Sequence, residues 1–417
     1  MTSLSASAPP SAPPRSSAAI WMRHNLFRSK LDGLITIVFG ALGLYLVFQF
    51  LNFVFVTARW EVIRLNLKLL LVGRWPPEHL PRIAVGLAGL GLWGGTIAGL
   101  IRARQLHVAG GEEMLDGWPR VADLTRRFGL LVATVFLLLL LTSSGGPWIA
   151  ALGLILGVLA GWQLGSRLGR LALSPVVIRL GILVMLATPF ILFFYLADAV
   201  PFAEWEGFMF NLTAAAAGIV LSFPLGVLLA LGRRSKLPLL KSLSIGYIEF
   251  VRGAPLYVLL LLANVSLEFF VPPALAPSKT VRAVVTFTLF TAAYVAEIVR
   301  GGLQSVPRGQ EEAAKALGLS PFTQMMRIIL PQALRNVIPA QIGQFISLFK
   351  DTTLAGLALG VLDLLDGARI ITQQEAFRGQ GLIIETLAFV AFLFWVGSFT
   401  MSRESQRLER KLGVGTR

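Results

Sequence analysis

Apolar runs near twenty residues long, parted by short polar, Gly- or Pro-containing breaks, recur along most of the chain. They lie at about 33–56, 83–101, 128–142, 147–162, 177–199, 208–231, 254–270, 283–299, 336–360 and 383–401. A helix of about twenty apolar residues crosses the hydrocarbon core of a bilayer. The pattern therefore predicts an all-α polytopic membrane protein with about ten transmembrane helices and both termini on one side. Ser143–Pro147 reads as a turn, so the third and fourth runs form a tight hairpin. Residues 1–20 are rich in Ser, Ala and Pro; they read as a disordered tail, since no apolar run typical of a signal peptide precedes Gly33.

Two polar stretches break this rhythm with a pattern of their own. The first, Ala58–Arg82, mixes Val62, Ile63, Leu65, Leu67, Leu69, Leu70 and Leu71 with Arg64, Asn66 and Lys68. It predicts an amphipathic helix lying in the membrane interface, with Trp60 and Trp75 anchored among headgroups. The second, Glu312–Pro331, predicts two short helices. Glu311 and Glu312 favour a helix N-terminus, Gly318 suits a left-handed stop, and Ser320–Pro321 suits a second start. Pro331 is expected to end that second helix near Leu330.

Composition agrees with the pattern. Of 417 residues, 55% are hydrophobic and 14% charged, against about 25% charged in a soluble domain. The net charge of +15 points to loops that follow the positive-inside bias rather than to nucleic acid. With Glu312–Pro331 inside, interior segments hold 27 of the 37 Lys and Arg and exterior loops 9, five of them in 57–82. Cysteine is absent and the three histidines are far apart in sequence, so no disulfide, thiol chemistry or His/Cys metal site is expected. No cofactor is implied.

The word Glu312-Ala313-Ala314, three residues, Gly318, nine residues, Ile328, one residue, Leu330-Pro331 resembles the coupling loop of ABC importer permeases. All seven specified positions match. The flanking words IEFVRGAPLYV (248–258), AYVAEIVRGGLQSVPRGQEEAAKALGL (293–319) and the stretch 333–365 are similar to amino acid permeases in particular. The resemblance implies a permease core of five spans over 201–417, with its coupling loop at 305–331. A 33–200 extension of about five spans, after a 1–32 tail, is similar to long permeases of general L-amino acid uptake. It also implies partners: ABC ATPase subunits, a second permease and a periplasmic amino-acid-binding protein, in a bacterial inner membrane with cytoplasmic termini. No P-loop GxxxxGK[ST] occurs, so ATP hydrolysis is expected on a partner and no enzyme activity here. An ion-gradient-driven secondary transporter is the alternative; it predicts an inverted repeat, and the two halves share no words.

Candidate residues fall in two further groups. Glu249 with Arg252, and Glu297 with Arg300, have the three-residue spacing of ion pairs on one helix face. Glu297 also sits deeper in its span, where ionisable groups are costly and mark substrate paths. Lys350, Asp351, Thr352 and Thr353 interrupt the apolar run 336–360 near its middle. An unwound helix there would offer hydroxyls and a charge pair to an amino acid. Asn211-Leu212-Thr213 matches a glycosylation acceptor but begins a span, so no modification is expected.

Overall fold

The computed structural model describes residues 18–108, 146–171, 175–272 and 275–413, with a few positions between 129 and 138. Most of the expected tail, of the loop at 102–127 and of the third apolar run lies outside the described residues. The chain divides into two compact units, 1–59 and 60–417. All elements are helical; among the described residues the one extended contact is a bridge between Gly207 and Asp363.

The first unit holds α1 (Ala18–Asn25) and α2 (Lys30–Asn52), which ends in a π-turn at Phe53–Thr57. Ser29 caps α2, its hydroxyl accepting the Asp32 N–H at 3.1 Å. No residue of α2 is buried. A helix apolar on every side belongs in lipid.

The second unit begins with α3 (Glu61–Val72), α4 (Leu80–Val108), α5 (Gly146–Arg170) and α6 (Pro175–Ala199). The amphipathic helix expected in the first polar stretch forms, and its apolar side packs on protein. Val62, Ile63, Leu67 and Leu70 are buried in a protein core shared with Leu364, Ala368, Ile371 and Phe389. Trp75, expected as an interfacial anchor, is 1% exposed; its ring packs edge-on against Trp205 at 5.8 Å. The correction has a simple cause: the permease end of the chain offers an apolar surface that excludes lipid and water together.

Further along come α7 (Gly207–Arg233), α8 (Pro238–Gly253), α9 (Leu256–Val265), a single helical turn at Leu267–Phe270, and α10 (Lys279–Ser305). Then follow α11 (Arg308–Ala316), α12 (Pro321–Gln324), α13 (Leu330–Asp351), α14 (Leu354–Leu359), α15 (Leu364–Ile371) and α16 (Ile383–Leu412). Seven helices among the described residues are long and apolar enough to cross a membrane. The α8–α9 pair, bent by 103° at Ala254–Pro255, makes an eighth if it counts as one broken span. The apolar run at 336–360 is divided, α13 ending at Asp351 and α14 at Leu359.

A tie joins the front of this unit to its permease end. Glu206, just before α7, accepts the backbone N–H of Arg74 at 2.9 Å and the Arg74 Nε–H at 3.0 Å. Hydrogen bonds to a charged acceptor are the stronger kind, so the turn after α3 is held at the first residue of α7.

Candidate functional site

The coupling-loop segment builds itself from local signals. Pro307 opens α11, and Gly318 closes it at φ +71°, a region open to glycine at little cost. The Leu319 N–H reaches Ala314 O at 3.2 Å and the Gly318 N–H reaches Lys315 O at 2.9 Å. That pair of bonds is a Schellman stop. Ser320 then accepts the Thr323 N–H at 3.3 Å and starts α12. The Lys315 ammonium, 2.8 Å from Glu311, holds that carboxyl below the ordinary carboxylate range by hydrogen bonding and charge.

Pro331 does not end the second helix. The chain passes through a π-turn at Met325–Ile329 and continues directly as α13, with Pro331 in its first turn. The wider turn accommodates a residue that lacks an N–H, and the first turn of a helix leaves that donor unused anyway. The second helix of the loop and the span that follows are continuous from Pro321 to Asp351.

The seven motif residues divide by burial. Ala314 and Leu330 are buried and Ile328 half-buried, while Glu312, Ala313, Gly318 and Pro331 are exposed. Leu330 packs with Ile329 and Ala333 against Val295, Val299 and Leu303 of α10. Asn336 donates to Ser305 Oγ at 3.0 Å, and Gln332 to Gln310 Oε1 at 3.2 Å. Leu330 and these side-chain bonds thus pin the loop across α10 and α13. Beside the exposed motif residues the loop presents three large apolar side chains outward: Leu317 is 78% exposed, Phe322 75% and Met326 42%. Sequence reasoning missed these three, since nothing in their spacing separates a protruding apolar side chain from a packed one.

The charged residues near this end form one network across three helices. Glu297 accepts from Arg300 Nε at 2.6 Å and lies 3.3 Å from Arg233 and 3.7 Å from Arg252. Glu249 pairs with Arg233 at 2.9 Å. The Glu297–Arg300 pair forms as the spacing predicts; Glu249 and Arg252 instead turn to neighbouring helices. The reason is burial. Glu297 is 20% exposed on its side chain, and a partly desolvated carboxylate gains more from a guanidinium than an exposed one does.

The Lys350–Thr353 group does not converge on one cavity. Lys350 is exposed, Asp351 and Thr353 are half-buried and Thr352 is fully buried. Thr352 Oγ1 accepts from Asn211 Nδ2 at 3.1 Å and donates to Phe349 O at 2.7 Å. Asn211 Oδ1 accepts the Leu364 N–H at 3.0 Å. Asp363 accepts from Gly356 N at 3.2 Å and from Asp366 N at 2.7 Å. This satisfied polar knot holds the turn from α13 through α14 into α15, so the unwinding expected at Lys350 is displaced to Thr352–Thr353. Asn211, set aside as a spurious glycosylation site, is its centre. The structure does not bring Glu297 to the Lys350 group: Gly302 of α10 packs on Ala333 and Val337, and Phe287 lies with Leu348 beside Gly218. That register leaves about a dozen residues, ~18 Å of helix, between the Glu297 level and Lys350.

Comparison with known proteins gives this geometry a family. The description "Binding-protein-dependent transport system inner membrane component" matches residues 222–414. Over 97% of the chain and 96% of the relative, the sequence is 36% identical to the "Glutamate/glutamine/aspartate/asparagine transport system permease protein BztC" of Rhodobacter capsulatus. The chain belongs to this family of ABC importer permeases. It is also 41% identical to the Escherichia coli "Inner membrane amino-acid ABC transporter permease protein YhdY", over 53% of this chain and 60% of that one. A solved chain from the "Crystal structure of an amino acid ABC transporter with histidines" is 31% identical and covers 49% of this chain and 92% of its own, at a TM-score of 0.45. The permease is a transport component of an importer, not an ion-driven secondary transporter.

Proposed function

We propose that this permease carries L-amino acids inward across a bacterial inner membrane, with both termini cytoplasmic. Separate ATPase subunits supply the energy through the 305–331 loop, a second permease completes the membrane pore, and a periplasmic binding protein delivers the amino acid. The observation that carries this is the loop's division of labour. Of its motif residues Ala314 and Leu330 are buried, Leu330 against α10, while Leu317 and Phe322 stand exposed at its tip. Large apolar side chains projecting from a rigid polar loop are anchors for a partner's pocket. Because the loop runs into α13 without a break, a push on it moves a membrane helix rather than a tether.

The relative's name sets the first cargo panel: glutamate, glutamine, aspartate and asparagine. Lys350 and Asp351 are the charges that would meet the cargo at the end of α13 away from the loop. Thr352 supports them through Asn211, and Thr353 through its bond to Lys350 O at 2.8 Å. Glu297 serves as the centre of the charge network beside the loop, with Glu249, Arg252 and Arg300 around it. The test is ATPase activity and uptake by the assembled complex in lipid. Gly318→Val, which forces a branched side chain into φ +71°, and Phe322→Ala should each abolish uptake while the complex still inserts. Uptake at the wild-type rate in both would refute the coupling assignment.

A further inference from the structure

The importer reading leaves the stretch Ala58–Arg82 without a task, although it holds five Lys and Arg on the side expected to be poor in them. The structure gives part of it a firm place. α3 lies antiparallel to α15: Asn66 Oδ1 accepts from Gln374 Nε2 at 2.9 Å, and a Cβ at Gly367 would sit 3.8 Å from Leu70. α3 also crosses the first residue of α7, where a Cβ on Gly207 would meet Leu70 O at 2.8 Å. α13 leads away from the coupling loop to Asp351, and α16 begins its return at Ile383. The α3–α15 pair therefore caps helix ends on the face opposite the coupling loop.

With the apolar side of α3 used up beneath, its other side carries exposed residues. Arg64, Leu65 and Lys68 are exposed on α3, Arg369 and Ile370 on α15, and Arg378 in the turn beyond. The exposed carboxylates beside them are Glu61 and Glu375, so four cations face two anions. Lys68, Arg369 and Arg378 have no ion pair among the described residues. Leu65 is 58% and Ile370 45% exposed. Apolar side chains amid a charged rim have the make-up of a protein interface.

We propose that the α3–α15 platform is a docking surface for the solute-binding protein, complementary to an acidic patch on that partner. The inference rests on the importer reading, since a binding-protein-dependent permease must receive a soluble protein on the face opposite its ATPase. Three features favour this occupant. The cations lie on the side expected to be poor in them, they sit over helix ends rather than along a flank, and α3, which carries Arg64 and Lys68, is fixed by four buried residues. Complementary charge speeds encounter and sets register in such contacts.

The test uses the complete complex, this permease with its partner permease and ATPase, in nanodiscs of neutral or anionic lipid. Glutamine-loaded binding protein is titrated, and the concentration giving half-maximal ATPase stimulation is read. Arg64→Glu with Lys68→Glu should raise it about tenfold, and Arg369→Glu should raise it by a smaller factor. Wild type should weaken with added salt more steeply than the double variant. Unchanged half-maximal concentrations and an unchanged salt slope would overturn the proposal. So would a shift confined to anionic nanodiscs, which would assign the platform to lipid headgroups. If the double variant fails to assemble, Arg369→Glu and the wild-type salt slope decide. A wild-type complex that no binding protein stimulates would sink the importer reading itself, and the docking surface with it.

Discussion

Two helix pairs in the same unit are held together by different means. Between α4 and α5 the contact is backbone on backbone. A Cβ at Gly165 would lie 2.1 Å from Thr96 O, at Gly161 2.2 Å from Leu92 O, and at Gly95 2.3 Å from Val158 O. In lipid there is no hydrophobic gain from pairing two apolar helices, so close approach of small residues supplies dispersion and Cα–H···O contacts instead. Between α7 and α10 side chains fill the seam: a Cβ at Gly226 would meet Val295 Cγ1 at 2.4 Å, and Phe210, Phe287 and Leu348 share one core. There, too, run the polar knot and the charge network. A backbone seam has one register and little freedom to slide. A side-chain seam can repack through rotamers, which is what an alternating-access core requires. The α4–α5 hairpin has the build of a fixed frame, and the α7–α10 seam that of a joint able to repack.

Substitutions can break this contrast. Gly161→Val should be the most damaging, costing about 3 kcal/mol or more through overpacking against the α4 backbone. Gly94→Val, on the same hairpin but with nothing within 4 Å, should be tolerated; thermal unfolding in detergent compares them. Equal melting temperatures for the two variants would remove the frame from the account. Next comes Asn211→Ala in α7, which strands the buried Leu364 N–H and should cost about 2 kcal/mol. Here uptake should fall further than stability does, because the turn at Thr352–Leu364 loses its pin. The smallest effect belongs to Glu311→Gln, at most about 0.5 kcal/mol for an exposed i,i+4 pair. The Glu311 pKa is lowered in the folded protein, so its contribution is present at neutral pH and lost as the pH falls below about 4. A melting curve of the variant that shifts as strongly with acid as wild type would show the pair to be idle.

Much of this was legible in the chain. Apolar runs gave the membrane class, and Gly318 and Ser320–Pro321 gave the turns of the loop, because each is a local property of a few residues. What escaped was set by packing between distant segments. The burial of α3 depends on Leu364, Ala368 and Phe389, some three hundred residues away. The glycine seam needs two helices in one register, and either strand of glycines alone reads as flexibility. Asn211 carries no role in the sequence beyond a dismissed glycosylation match, and its task appears only where Thr352 and Leu364 close around it. Pro331 read as a stop, since a π-turn ahead of it leaves no signature in residue types.

The central claim is that the loop tip at Leu317 and Phe322 carries force from an ATPase into α13. The chain contains no cysteine, so Leu317→Cys creates a unique thiol at that tip. Disulfide trapping of this variant in the assembled complex, against cysteines placed along the ATPase surface, tests the claim most directly. The account predicts a strong cross-link to the ATPase that blocks uptake, with reduction restoring both uptake and ATP turnover. Absence of any ATPase cross-link at Leu317, or full uptake in the trapped complex, would contradict it.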